Sequence, residues 1–184
     1  MKNNLIVLLI FFGCIAIGCK EDVLPKPKAM LRLAYTKADY ERLTTSDFNF
    51  DMNTMAKVKK QTANGLTIDY PMMKGSIYLT YKPVDNNIRD LLIDAQKLTY
   101  EHVAKADNIE PKEYVDTDKR VYGMFYEVTG NAASQSQFYA TDSTNHFVTG
   151  SLYFYAKPNY DSIFPAAVYL QNDIRKIMES LEWN

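Results

Sequence analysis

The stretch VYGMFYEVTGNAASQSQFYATDSTNHFVTGSLYFY, residues 121–155, decides the fold. Runs of Val, Tyr, Phe and Thr favour extended chain, and the polar clusters between them carry turn chemistry. This predicts a strand over Arg120–Thr129, another over Gln137–Thr141, a hairpin turn at Asp142-Ser143-Thr144-Asn145 and a last strand over His146–Lys157. Downstream, Ile163, Ala167, Leu170, Ile174, Ile177 and Leu181 recur at spacings of 4, 3, 4, 3 and 4, which predicts a helix from Ser162 to Trp183 with Pro165 in its first turn. Upstream, strands are expected at Met30–Tyr35, Asp47–Met52, Ala56–Gln61, Leu66–Pro71 and Ser76–Pro83. In the last of these, Ile77, Leu79 and Tyr81 alternate with Tyr78, Thr80 and Lys82. A helix then follows Pro83, with Asn87 as N-cap and a stripe of Ile88, Leu91, Leu92, Ala95, Leu98 and Val103, and a short strand surrounds Tyr114. Strands interrupted by one helix and closed by another make an α+β fold, a mostly antiparallel sheet with packed helices. This α/β sandwich order is similar to the PsbP/Mog1-like architecture.

A chain of 184 residues has room for one ordinary domain, and no repeat of 20–50 residues divides it. With 47% hydrophobic and 23% charged residues it is foldable, and 7 Gly with 7 Pro exclude collagen-like or low-complexity character. A net charge of −1 without a Lys/Arg block excludes the electrostatic footprint of a nucleic-acid binder.

Both cysteines, Cys14 and Cys19, lie at the start, so no disulfide staples the body of the chain. Lys2 precedes an apolar run from Leu5 to Ile17, too short for the ~20 residues of a spanning helix and suited to a signal-peptide core. The run ends in Ala16-Ile17-Gly18-Cys19, which resembles a bacterial lipobox, whereas Phe11-Phe12-Gly13 before Cys14 is a poorer match. The expected organisation is therefore a lipoprotein signal peptide at 1–18, lipidated Cys19 with a Pro- and Lys-rich tether to Lys28, and one domain over 29–184. A cysteine carrying two or three acyl chains, palmitate among them, stays on its membrane. Lys20-Glu21-Asp22 resembles an export signal for the outer face of the outer membrane and equally suits a solvated tether.

The constellations that carry chemistry are missing or crowded. His102 lies at the edge of a helix stripe with no Cys, His or Glu cluster at metal spacing, so neither metal nor cofactor is expected. Asp142, Ser143 and His146 supply triad residue types but share one tight turn, without a Gly-x-Ser-x-Gly elbow. Gly123, Gly130 and Gly150 are too far apart for a phosphate loop. The polar segment from Gly130 to Gln137 stands out: Asn131, Ser134, Gln135 and Gln137, flanked by Tyr122 and Tyr139, suit either a plain surface loop or a recognition surface.

At these residues the chain resembles the gliding-motility lipoprotein GldD family of Bacteroidota. The resemblance rests on Tyr122-Gly123, Gly130-Asn131-Ala132-Ala133-Ser134, Gln137-Phe138-Tyr139, Thr141-Asp142-Ser143-Thr144 and Gly150-Ser151-Leu152-Tyr153-Phe154. Leu24-Pro25-Lys26-Pro27-Lys28, Leu79-Thr80-Tyr81-Lys82-Pro83 and Lys157-Pro158-Asn159-Tyr160-Asp161-Ser162 extend it, and Thr44 to Asn64 matches least. It implies a lipid-anchored envelope protein needed for gliding and for type IX secretion, with the other proteins of that apparatus as partners and no catalytic residues to carry over. Three hypotheses follow: a non-enzymatic assembly or interaction factor, a module binding a small ligand, lipid or glycan, and an envelope hydrolase using Asp142, Ser143 and His146. The first predicts an exposed aromatic patch, the second a concave apolar pocket, and the third a pocket where those three side chains converge.

Overall fold

A computed structural model of the protein describes residues 35–155 and 159–184. Cys19, Lys20-Glu21-Asp22, the tether, residues 30–34 and 156–158 and the side chain of His102 lie outside the described residues.

In chain order the strands are β1 (Tyr40–Thr44), β2 (Phe48–Asn53), β3 (Lys57–Thr62), β4 (Gly65–Tyr70) and β5 (Gly75–Pro83), followed by helix α1 (Ile88–Tyr100). Then come β6 (Ala106–Asp116), β7 (Val121–Gly130), β8 (Ser134–Thr141), β9 (His146–Phe154), helix α2 (Tyr160–Glu179) and β10 (Glu182–Trp183). The class is α+β, as the sequence predicts. Seven strands form one antiparallel sheet in the order β3-β4-β5-β9-β8-β7-β6, and β1-β2-β10 form a small second sheet. The two halves of the large sheet are joined by the β5–β9 ladder, from Gly75 opposite Phe154 to Pro83 opposite His146.

Alternation along the strands sends two sets of side chains to two faces. Ile68, Ile77, Leu79, Phe125, Phe138, Val148 and Leu152 point to one face, where α2 and β2 close a continuous core with Phe50, Leu170, Ile174 and Ile177. Each such large apolar side chain contributes about 1.5–3 kcal/mol on burial. The other face carries Tyr139 and Phe147, against which α1 buries Leu91 and Ala95 and half-buries Ile88 and Leu92. Phe138 stands opposite Gly150 across the β8–β9 ladder, and its ring occupies the space a Cβ at position 150 would need, 2.1 Å away.

Several expectations need correction. The α1 stripe fails at its far end: Leu98 and Val103 are each 56% exposed, because Ala95 and Thr99 take the face against β8 and Val103 lies past the helix, in a 3-10 turn at Glu101–Ala104. Asn87 stands at the N-cap without capping; its Oδ1 accepts from the Asp85 N–H at 2.8 Å instead. The short strand around Tyr114 is an 11-residue edge strand, which accommodates Pro111 because an edge can spare one ladder donor. Helix α2 starts at Tyr160, so Pro165 falls in its second turn. It ends at Glu179, and Leu181 is buried in the turn into β10.

Candidate functional site

The polar segment reads differently once folded. β8 begins at Ser134, so Ser134, Gln135 and Gln137 are strand residues no more than 5% exposed, not a presented surface. Their burial follows from position: β8 lies inside the large sheet and is covered by α2 on one face and by α1 on the other. Gln135 Nε2 donates to the carbonyls of Ala132 at 2.9 Å and Gly130 at 3.4 Å, and so fixes the turn where Gly130 takes φ +92°. Gln137 Oε1 accepts from the Thr99 hydroxyl at 3.0 Å, which ties β8 to α1. Its Nε2 has no partner among the described residues and borders a cleft of about 20 Å3, room for one water. Asn131 is exposed, yet its Oδ1 accepts from the Tyr160 N–H at 3.0 Å and so occupies one of the unpaired donors at the start of α2.

Of the six residues, Tyr122 and Tyr139 stay half-buried on strands. Tyr139 stacks on Phe147 at 5.9 Å and meets Tyr126 at 6.5 Å, and Tyr126 meets Tyr100 edge-on at 6.2 Å. Burial pushes the Tyr126 hydroxyl up to about 12, so it stays protonated. Beyond α1 the same face continues open. Leu98 borders the cleft with Thr149 and Ser151, and past them Tyr153 packs edge-on against Tyr78, which is 40% exposed. This aromatic and aliphatic patch was not singled out in the sequence, although the excess of 14 tyrosines pointed towards it.

The hairpin shows what Asp142, Ser143 and His146 do. The Asp142 carboxylate accepts the backbone N–H groups of Thr144 at 3.0 Å and of Asn145 and His146 at 2.8 Å, and the Thr144 hydroxyl at 2.7 Å. Burial works to raise its pKa, but these four donors outweigh it and hold the carboxyl well below the usual range. Ser143 sits in the turn at φ +69°. His146 Nδ1 lies 2.9 Å from the Tyr81 hydroxyl, and its ring stacks on Trp183 at 5.1 Å with the planes 8° apart. Asp142 therefore spends its carboxylate on shaping a turn, and His146 takes part in an aromatic stack. The three side chains form no Asp–His–Ser relay.

A second polar cluster lies between α2 and the small sheet. Asp173, 1% exposed, accepts from the Tyr40 hydroxyl at 2.7 Å and from Asn53 Nδ2 at 2.8 Å. The buried Tyr70 hydroxyl approaches the same carboxylate without closing a hydrogen bond of ordinary geometry. Burial raises the Asp173 pKa against these donors. It interrupts the apolar stripe of α2, and helical spacing alone gave no sign of it.

Comparison with known families decides the identity. The family model described as gliding motility lipoprotein GldD matches residues 20–183 of the 184. The chain belongs to the GldD family. Membership makes it a gliding-motility lipoprotein, held in the cell envelope through a lipid anchor. No helix among the described residues is long and apolar enough to cross a membrane. No curated protein matches the chain. The family is one of motility lipoproteins and not a known enzyme family.

Proposed function

We propose that the protein is a non-enzymatic interaction factor that helps assemble the gliding machinery and its associated type IX secretion apparatus. It is tethered by acyl chains on Cys19, most simply to the outer membrane, with Lys20-Glu21-Asp22 available as a surface-export signal. The family match starts at Lys20, directly after the lipobox cysteine, which supports the anchor.

The observation that carries the reading is the open face beside α1. Tyr78, Tyr153, Leu98 and Tyr100 form a patch of large side chains on a rigid sheet, the composition on which protein partners dock, and the occupant is another protein of the apparatus. The test is a strain carrying Tyr78→Ser with Leu98→Ser. It should lose gliding while the protein keeps its melting temperature, abundance and membrane fraction, since both side chains are substantially exposed. Ser143→Ala should glide normally. A well-folded Ser143→Ala protein at normal abundance that cannot support gliding would favour a hydrolase instead.

The small-ligand reading needs a different place from the apolar pocket first expected. Among the described residues, the clefts beside Phe48 and Leu79, beside α1 and beside Gln135 hold about 20 Å3 or less, against the ~300–1,000 Å3 of a typical ligand pocket, whereas one polar groove is far larger.

A further inference from the structure

That groove, of about 490 Å3, opens where the β6–β7 turn, the β8–β9 hairpin and β10 come together. Trp183 and His146 form its aromatic wall, stacked on each other. The Trp183 Nε1–H is spent on the Arg120 carbonyl at 3.0 Å, so the indole offers the groove only carbon surface. Around it stand polar groups with capacity to spare. Arg120 uses only Nη2, on the Thr144 hydroxyl at 3.1 Å and the Asp142 carbonyl at 3.5 Å, and forms no ion pair among the described residues. The side chains of Asp118 and Asn145 are exposed and have no hydrogen-bond partner among the described residues.

We propose that this groove binds a neutral oligosaccharide, seating one pyranose ring against Trp183 with its hydroxyls on Arg120, Asp118 and Asn145. The proposal deepens the small-ligand reading and is independent of the α1 face. The lining selects this chemistry by elimination. Three carboxylates, Asp118, Asp142 and Glu182, outnumber the cations Lys119 and Arg120, so an anion meets a site of the wrong sign. A lipid or hydrocarbon would strand charged side chains out of water. No group of three or more His, Cys, Asp or Glu among the described residues is placed to hold a metal ion. A sugar ring fits both halves of the site: its C–H groups are weakly positive and match the carbon surface that the half-buried indole, stacked on His146, turns to the groove, and its vicinal hydroxyls both donate and accept. The walls are also fixed beforehand. Asp142 pins the hairpin, the indole N–H pins Arg120, and Lys119 pairs with Glu182 at 3.3 Å, so little ordering is left for binding to cost.

Trp183 is the only tryptophan, so its fluorescence reports this groove alone. The full lipidated protein, in a zwitterionic detergent free of sugar, would be titrated with three tetrasaccharides: β-1,4-linked N-acetylglucosamine, β-1,4-linked glucose and α-linked mannose. A saturable change is expected for at least one at millimolar concentration. The N-acetylated and plain sugars distinguish a cell-wall backbone from a surface polysaccharide. Asp118→Ala with Asn145→Ala should weaken that response at least tenfold at unchanged melting temperature. Tyr78→Ser with Leu98→Ser should leave it unchanged. The proposal is overturned if none of the three sugars gives a saturable signal, if the double variant binds as well as wild type, or if glucuronate or inorganic phosphate binds in preference.

Discussion

Two buried aspartates of this protein respond to pH in opposite directions. Asp142 has its folded pKa held down by donated hydrogen bonds, so the stability it contributes is present above the ordinary carboxylate value of about 3.9 and is lost as pH falls towards the folded value. Asp173 has its folded pKa raised by burial. Its native state binds the proton more tightly than the unfolded chain, and stability falls as pH rises from about 3.9 through the folded value. Asp142→Asn should therefore cost about 1–3 kcal/mol at pH 7, with the gap to wild type closing in acid. Asp173→Asn should gain on wild type as the pH rises over its window. Urea midpoints from pH 3 to 7 check both, and parallel profiles for the two variants would contradict the assignment. A third residue-scale prediction follows from the Phe138 ring over Gly150. Gly150→Ala should destabilise by about 1–3 kcal/mol, read from chemical denaturation, because the phenyl group would have to leave its place between packed strands.

The two helices differ in what they are for. On α2, Leu170 and Ile174 are fully buried, so Leu170→Asp or Ile174→Asp should unfold the domain, whereas Leu98→Ser on α1 should shift stability by no more than about 0.5 kcal/mol. Circular-dichroism melts of the three variants distinguish them. The α2 stripe was legible because its apolar spacing is regular over five turns, and the β5 and β9 strands because they alternate. The end of α1 was not, since Leu98 keeps the apolar helical spacing while polar Thr99 takes the place against β8, and Val103 lies past the helix. The start of β8 was misread for the converse reason. Ser134-Gln135-Ser136-Gln137 has the composition of a loop, and only its place between β7 and β9 makes it a buried strand. β1 and β10 are short and pair only with β2, so neither carries a pattern of its own. The groove was legible only in part. The turn chemistry of Asp142 was visible, but the approach of Trp183 to His146 depends on a ladder pairing between residues far apart in sequence.

For the whole molecule, the anchor proposed on Cys19 should be separable from the folded domain. Cys19→Ala should leave a folded but soluble protein and abolish gliding, because a tethered factor loses its high effective concentration near membrane partners. Fractionation after a high-salt wash decides this: a Cys19→Ala protein that stays in the membrane pellet is anchored by something else. The domain also guards its open sheet edges. β3 presents Lys57, Lys59 and Lys60, and β6 carries Pro111, both of which discourage another strand from adding on. The small sheet has its own consequence. β2 lies between β1, near the start of the domain, and β10, at its very end, and Arg42 bonds Glu182 and the Ser180 carbonyl across that junction. A chain emerges from its amino terminus, so the first hairpin is free long before the strand that completes it. Until residues 182 and 183 follow, the Phe48–Asn49 end of β2 lacks its second partner and lies open to any passing strand.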